Sequence, residues 1–516
     1  MADPSLFPSS RQARWPTVHN EAGGRGYALE PIDRLAQYAL TGCLGQTFYA
    51  TAATQRDTVL ALAAEVEPAW LARIAIYARE QGFMKDLPAL LCAVLAVRGP
   101  ELLPVTFERV IDNGRMLRTF VQILRSGVVG RRSLGSMPRR LVRAWMAERS
   151  DAALAAASVG TAPSLADIVR MVHPKPTTAS RSALFAWLCG RDYSPDDLPE
   201  PLRSFEAWKA GDRSTVPDVP FAMLTAQTLS SSEWRVIAAR APWQTTRMNL
   251  NTFARHGVFD DLELTAVIAD RLRDPIEIRR SRVFPYQLMM AHCNTTAAVP
   301  PQVRAALGDA MERATDNVPE LPGQVFVAVD VSGSMHAPVS GVRRGATSKA
   351  RCLDVAALFA ASLVRRNPTA EVIPFAETIR HTRLDPRASV LANADRLARE
   401  PGGGTDCSVV LRELVRRKRR GDLVVLVSDN ESWIRPGNRQ STPTMDAWQR
   451  FKRRNPAARM VCIDIQPFAT VQVPPDADVL HVGGFSDDVF SVVRSFATAG
   501  SDPHSWRNTI QSAVAV

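Results

Sequence analysis

At 516 residues the chain is too long for one ordinary hydrophobic core, and about two to four domains are expected. A hydrophobic content of 46% with 22% charged residues excludes disordered and fibrous classes and fits a soluble globular protein. The net charge of +11 favours polyanionic partners, nucleic acid first.

The amino terminus, "MADPSLFPSS", lacks the basic-then-apolar pattern of a signal peptide. Residues 1–25, with their Pro, Ser and Gly, are expected to form a flexible arm. From about Glu30 to Asn317 the chain reads as helix after helix, punctuated by Gly or Pro. Apolar residues recur there at three- and four-residue spacing, as in "AWLARIAIYAREQG" and "RMLRTFVQILRSG". Many short helices joined by tight turns predict an all-α helical-repeat domain over 26–318. Its longest uncharged apolar run, Leu87–Val97, is too short to span a bilayer, so no membrane partner is expected.

Within this half, Leu124–Met146 holds Arg125, Arg131, Arg132, Arg139, Arg140 and Arg143 and no acid. Ser136 and Pro138 mark a helix start. In that helix Leu141, Val142 and Trp145 share one face, and Arg139, Arg140 and Arg143 share the other. A solvated face usually mixes signs, whereas arginines alone suit phosphates and stacked bases. The patch is therefore a candidate RNA contact. Such a patch is needed, because the chain up to Glu320 carries 37 Lys and Arg against 33 Asp and Glu. Further on, "LADIVRMVHPKP" ends a helix in His173 and Lys175. On the residues alone, His173 is more often a helix-end cap than a ligand.

After "DNVPELPGQ" the pattern changes to apolar strands alternating with helices. The strands are "VFVAVDV", "AEVIPFA", "DLVVLVS", "RMVCIDI" and "DVLHVG". They predict a doubly wound, mostly parallel α/β domain over 322–500, with 501–516 as a tail. In such sheets the site lies beyond the carboxyl ends of the strands. The first strand ends in Asp330, Ser332 and Ser334, which share a face if the chain stays extended. "GGGTDCS" places Thr405 and Asp406 just before a helix, and "VLVSDNES" places Asp429 after another strand. Asp330, Ser332, Ser334, Thr405 and Asp429 all offer oxygen, the donor that hard cations such as Mg²⁺ take. A lone Thr or Asp in a loop is usually a cap, but three such loops on one sheet favour a cation site.

The pattern D-x-S-x-S with a later Thr and Asp resembles the metal-ion-dependent adhesion site of von Willebrand factor A domains. The resemblance implies that Ser332, Ser334 and Thr405 touch a divalent cation, and that Asp330 and Asp429 bind it directly or through water. An open coordination position would accept a partner's carboxylate or phosphate oxygen. No candidate base stands beside the motif, so hydrolysis is not expected.

Taken with the helical segments, this domain resembles one family: the Ro autoantigen and its bacterial relatives, the TROVE proteins. The segments are "LAQYALTGCLGQTFY", "YAREQGFMKDLPALL", "DIVRMVHPKP", "TTRMNLNTF" and "VFPYQLMMAH". The likeness runs from about Gly26 to Ala499. It implies HEAT-like repeats closed into a ring, binding small noncoding Y RNA on the outside. Single-stranded ends of misfolded or structured RNA would occupy the central hole. A 3′ exonuclease, polynucleotide phosphorylase, would be tethered through the Y RNA, and the protein itself would be a monomer. Arg139, Arg140 and His173 match the family's RNA-contacting segments, and Lys175 lies beside them; Arg131 and Arg132 are added on charge alone.

The leading expectation is a non-enzymatic RNA-binding protein acting in RNA quality control. The alternative is an adhesive or chaperone-like module that grips a protein partner through the metal site. A nuclease or ATPase is disfavoured, because no phosphate-binding G-x-x-x-x-G-K-[ST] loop and no cluster of carboxylates is found. The seven scattered cysteines, with no C-x-x-C, point to reduced thiols and a cytoplasmic protein.

Overall fold

The structure, a computed structural model, describes all residues except 1–15, 17, 42–43, 45–49, 161, 282, 284, 315–317, 340–349, 434–440, 467–469, 485–486, 499–504 and 516. The chain divides into two compact units.

One unit is helical and comprises Val66–Val283 with Gln287–Ala314 and the last three residues. Three of its helices stop where the sequence places breakers: Pro68–Glu80, Asp86–Arg98 and Gly114–Ser126 end at or near Gly82, Gly99 and Gly127, while Leu103–Val110 ends at Ile111, just ahead of Asn113 and Gly114. Each packs on the next or next-but-one helix, so the core is a chain of local contacts such as Phe107 edge-on to Phe120. Local packing of this kind is what an amphipathic stripe at three- and four-residue spacing produces.

The other unit is α/β. Its elements begin with β1 (Val18–His19) and β2 (Arg25–Ala28), followed far along the chain by β3 (Val325–Asp330) and β4 (Glu371–Phe375). The remainder are β5 (Leu423–Ser428), β6 (Arg459–Asp464), β7 (Thr470–Val471) and β8 (Val479–Gly483). The main sheet is parallel, in the order β4-β3-β5-β6-β8. Every residue of β3, β5 and β8 is buried, as expected of strands covered on both faces. Trp448 and Phe451 of the helix Pro443–Lys452 pack with Phe326 and Met460 of the sheet in one core cluster.

Three expectations about segment boundaries are corrected here. The described residues up to Glu65 group with the α/β unit and not with the helical unit. Residues 1–15 of the expected arm lie outside the described residues, but 18–28 are not a loose arm. β1 pairs with β2, and β2 pairs with β7, with Tyr27 opposite Val471. Tyr27 and Leu29 are buried against Val471, and the helix Pro31–Thr41 packs on β8. The apolar gain of that burial decides the placement. The expected tail likewise contains a helix, Ser505–Ala513, with Trp506 and Ile510 buried. Its Arg507 is clamped by Asp33 at 2.5 Å and Glu30 at 2.6 Å. The six described cysteines are free thiols; Cys43 lies outside the described residues. Among the described residues no helix is long and apolar enough to cross a membrane.

Candidate functional site

Two sites are built, one in each unit. In the helical unit the basic helix is Ser136–Glu148. It buries Pro138, Val142, Trp145 and Met146, with Leu141 half-buried, and Trp145 Nε1 donates to Ile111 O at 2.6 Å. Arg139, Arg140 and Arg143 are left exposed.

Arg140 and Arg143, one turn apart, meet the end of the helix Leu165–Val172 and the helix Ala179–Cys189 at a cavity of about 420 Å³. His173, Lys175, Arg181 and Phe185 complete it, and among the described residues no carboxylate lines it. A second cavity of about 240 Å³ shares His173 and Phe185 and adds Arg170 and Arg191. The structure thus brings together Arg140, Arg143, His173 and Lys175 and leaves the other three candidates outside. Arg139 is exposed but does not line the cavity. Arg131 is committed to backbone, donating to Ser133 O at 2.9 Å and Ala96 O at 3.1 Å. Arg132 lies against Gly127.

Arg181 and Phe185 escaped the sequence reading. Arg181 is partly structural: it pairs with Asp151 at 2.6 Å, donates to Met146 O and Arg149 O at 2.7 Å each, and lies 5.9 Å from the Phe185 ring centroid. No local pattern marks such a residue, because its partners come from a preceding helix.

His173 is both a cap and a cavity residue. It closes the helix in the left-handed conformation at φ 49°, and its N–H reaches Val169 O at 2.9 Å. Glycine is the usual residue there, and a side chain costs about 1 kcal/mol. An exposed imidazole at that cost, lining two cavities, makes His173 a candidate functional position.

In the α/β unit, β3 and β5 are parallel neighbours, so Asp330 and Asp429 emerge at the same rim. Ser332 N donates to Asp330 Oδ1 at 2.8 Å, and Ser428 Oγ donates to Asp330 Oδ2 at 2.6 Å. Ser332 Oγ and Ser334 Oγ stand 3.3 Å apart, and the Ser334 hydroxyl bonds Asp429. Gly333 N donates to Gly403 O at 2.9 Å, which draws the glycine loop against the first loop. Trp433 N donates to Thr405 O at 3.2 Å, joining the second and third loops. Asp406 turns away: it accepts from Ser408 N and pairs with Arg412 at 2.7 Å, so it is a cap.

All five candidate ligands are buried, none more than 4% exposed. Burial and the neighbouring Asp429 carboxylate push Asp330 well above the usual carboxylate range, and burial raises Asp429 too. Asp429 Oδ2 is buried with no hydrogen-bond partner. Buried charge without compensation is costly, and a divalent cation among these oxygens would relieve it. The residues therefore fit such a cation. Among the described residues no three His, Cys, Asp or Glu side chains form a ligand cluster, so binding would rest on hydroxyls beside two carboxylates.

The sequence reading missed what closes this rim. Ala22 N donates to Glu431 Oε2 at 3.0 Å, and Asn20 Nδ2 donates to Ser432 O at 2.8 Å. Gly24 passes so close that a β-carbon there would fall 2.1 Å from Ser432 O. Burial and Asp429 push Glu431 up to about 8. Behind it Asp464, also raised by burial, accepts from Gln37 Nε2 at 2.6 Å and from Asn430 Nδ2.

Comparison with known proteins agrees with both halves. The family model described as "Ro60 vWA domain" matches residues 324–497. "RNA-binding protein RO60" of Deinococcus radiodurans is 28% identical over 529 aligned residues, covering 93% of this chain and 95% of that protein. The protein of the same name from Caenorhabditis elegans is 25% identical over 273 residues, 48% of this chain and 39% of its own length. The crystal structure of Deinococcus radiodurans RO (RSR) protein superposes with a TM-score of 0.61 at 22% identity, over 91% of this chain and 99% of that one.

Proposed function

We propose that this chain, which belongs to the Ro family, binds RNA through the helical-unit cavity where Arg140, Arg143, His173 and Lys175 converge. That convergence carries the reading: four basic side chains, two from the helix Ser136–Glu148 and two from the stretch just after Leu165–Val172, beside the Phe185 ring and with no lining acid among the described residues, suit a phosphodiester backbone and a stacked base. The relatives named as RNA-binding proteins support it. In its finer form the ligand is a small noncoding Y RNA, with single-stranded ends of misfolded RNA taken elsewhere on the same protein and a 3′ exonuclease tethered through the Y RNA. The role is non-enzymatic RNA quality control in the cytoplasm. In the other unit, Ser332, Ser334, Thr405, Asp330 and Asp429 would hold Mg²⁺, whose charge would settle the two buried carboxylates.

His173→Gly separates ligand from cap. Glycine fits the left-handed position, so unfolding stability should hold or rise by up to about 1 kcal/mol. Loss of the imidazole should weaken a small structured RNA about 5- to 10-fold, the worth of one hydrogen bond. Thermal melts and filter-binding titrations read the two quantities. Unchanged RNA affinity would leave His173 as a cap alone.

A further inference from the structure

The stretch after Glu320 carries a charge excess that neither site uses. From Leu321 to the end there are 26 Lys and Arg against 19 Asp and Glu. Part of it is gathered at one place. A groove of about 520 Å³ runs beside β4, the edge strand of the sheet, and is lined by Arg380, His381, Arg383, Arg417 and Arg419. Its two acids are already engaged: Glu371 with Arg419 at 2.5 Å, and Glu413 with Arg416 and Arg417 at 2.6 and 2.5 Å. Those arginines hold Glu413 down at about 2. Among the described residues Arg380, Arg383, Lys418 and Arg420 have no carboxylate partner, and Arg380 Nε is buried without any hydrogen-bond acceptor.

The bland explanation is that "RRKRR", Arg416–Arg420, complements the carboxyl end of the helix Val409–Arg416. The backbone argues for more. Arg419 N reaches back to Leu414 O at 2.9 Å, the closure that places the preceding residue in the left-handed region. That residue is Lys418, at φ 56°, where glycine is usual. A dipole needs no cation at this one strained position, since Arg416 and Arg417 already stand there. A lysine there, exposed and next in sequence to two arginines that line the groove, is placed for an external anion.

We infer that this groove is a second RNA contact, binding the phosphodiester backbone without reading sequence. Guanidinium forks match phosphate oxygens. No Phe, Tyr or Trp lines the groove among the described residues, and His381 is its one ring among them, so contact with phosphates outweighs stacking on bases.

The test uses the full chain carrying Arg383→Ser, Lys418→Gly and Arg420→Ser, titrated with a labelled mixed-sequence single-stranded oligoribonucleotide at several salt concentrations. All three side chains are exposed, so melting should be unchanged or slightly improved. Affinity at low salt should fall about 10-fold, and the slope of log affinity against log salt should become shallower by about 2, from about 0.7 per phosphate. Combined with Arg140→Ala and Arg143→Ala, the losses should add. Unchanged affinity and slope would overturn the inference. So would a chain in which the Arg140 and Arg143 changes alone abolish all binding. If a polyglutamate peptide of equal charge displaced the RNA as well as RNA does, the groove would be a protein-docking site and the inference would fail.

Discussion

Arg140→Ala with Arg143→Ala should weaken binding of a small structured RNA by about 10- to 100-fold, the loss of two charge-assisted contacts. The salt slope should become shallower by about one to two, depending on whether duplex or single-stranded phosphates are met. The structure chooses this pair, because both side chains line the cavity with His173 and Lys175. The folded state should tolerate the change. Both are exposed, and the helix keeps Val142, Trp145 and Met146 buried. Arg143 also donates to Val172 O, so about 1 kcal/mol of stability should go with it. Arg132→Ala with Arg139→Ala removes the same charge from outside the cavity and is the control. It should shift the salt dependence slightly and the affinity by about 3-fold or less, as expected of unspecific attraction.

The cation should produce the second large effect. Mg²⁺ at about 100 times its dissociation constant should stabilise the protein by about 2.7 kcal/mol, and a chelator should remove that gain. Asp429→Asn should abolish the Mg²⁺-dependent rise in melting temperature. In chelator the variant should be at least as stable as the parent, because a buried carboxylate with a partnerless oxygen has been neutralised. Both signs must appear together. A variant destabilised equally with and without Mg²⁺ would make Asp429 a purely structural residue. RNA affinity at the helical cavity should not change in this variant.

Much of the architecture was legible in the chain because it rests on local pattern. Most helices between Pro68 and Ser126 end at or near the glycines that predict their ends, and the five strands of the main sheet coincide with their apolar runs. Asp330, Ser332, Ser334 and Asp429 were legible as one cluster because strand ends in a parallel sheet share a rim. What was hidden depends on distant pairing. Tyr27 lies opposite Val471, and nothing in "GRGYALEP" announces a strand that joins a partner so far along the chain. The same distance hid how Asn20 and Ala22 bond to the loop after Asp429, so the open coordination position implied by resemblance meets a buried candidate site. The engagement of Arg131 was hidden for a related reason: its acceptors are the carbonyls of Ser133 and Ala96, and backbone acceptors leave no trace in composition. His173 looked like a choice between cap and ligand, and the left-handed backbone lets it be a cap while its ring faces the cavity.

The central claim is that RNA lies in the cavity between the helices Ser136–Glu148, Leu165–Val172 and Ala179–Cys189. Ultraviolet cross-linking of RNA co-purified with the native protein, followed by mapping of the cross-linked peptides, tests it most directly. Cross-links are expected on peptides containing Arg140–Arg143 and His173–Phe185, with Phe185 the reactive aromatic, and the recovered RNA should be a small structured species. Recovery of RNA cross-linked only to peptides outside these segments, or of protein carrying no RNA at all, would contradict it.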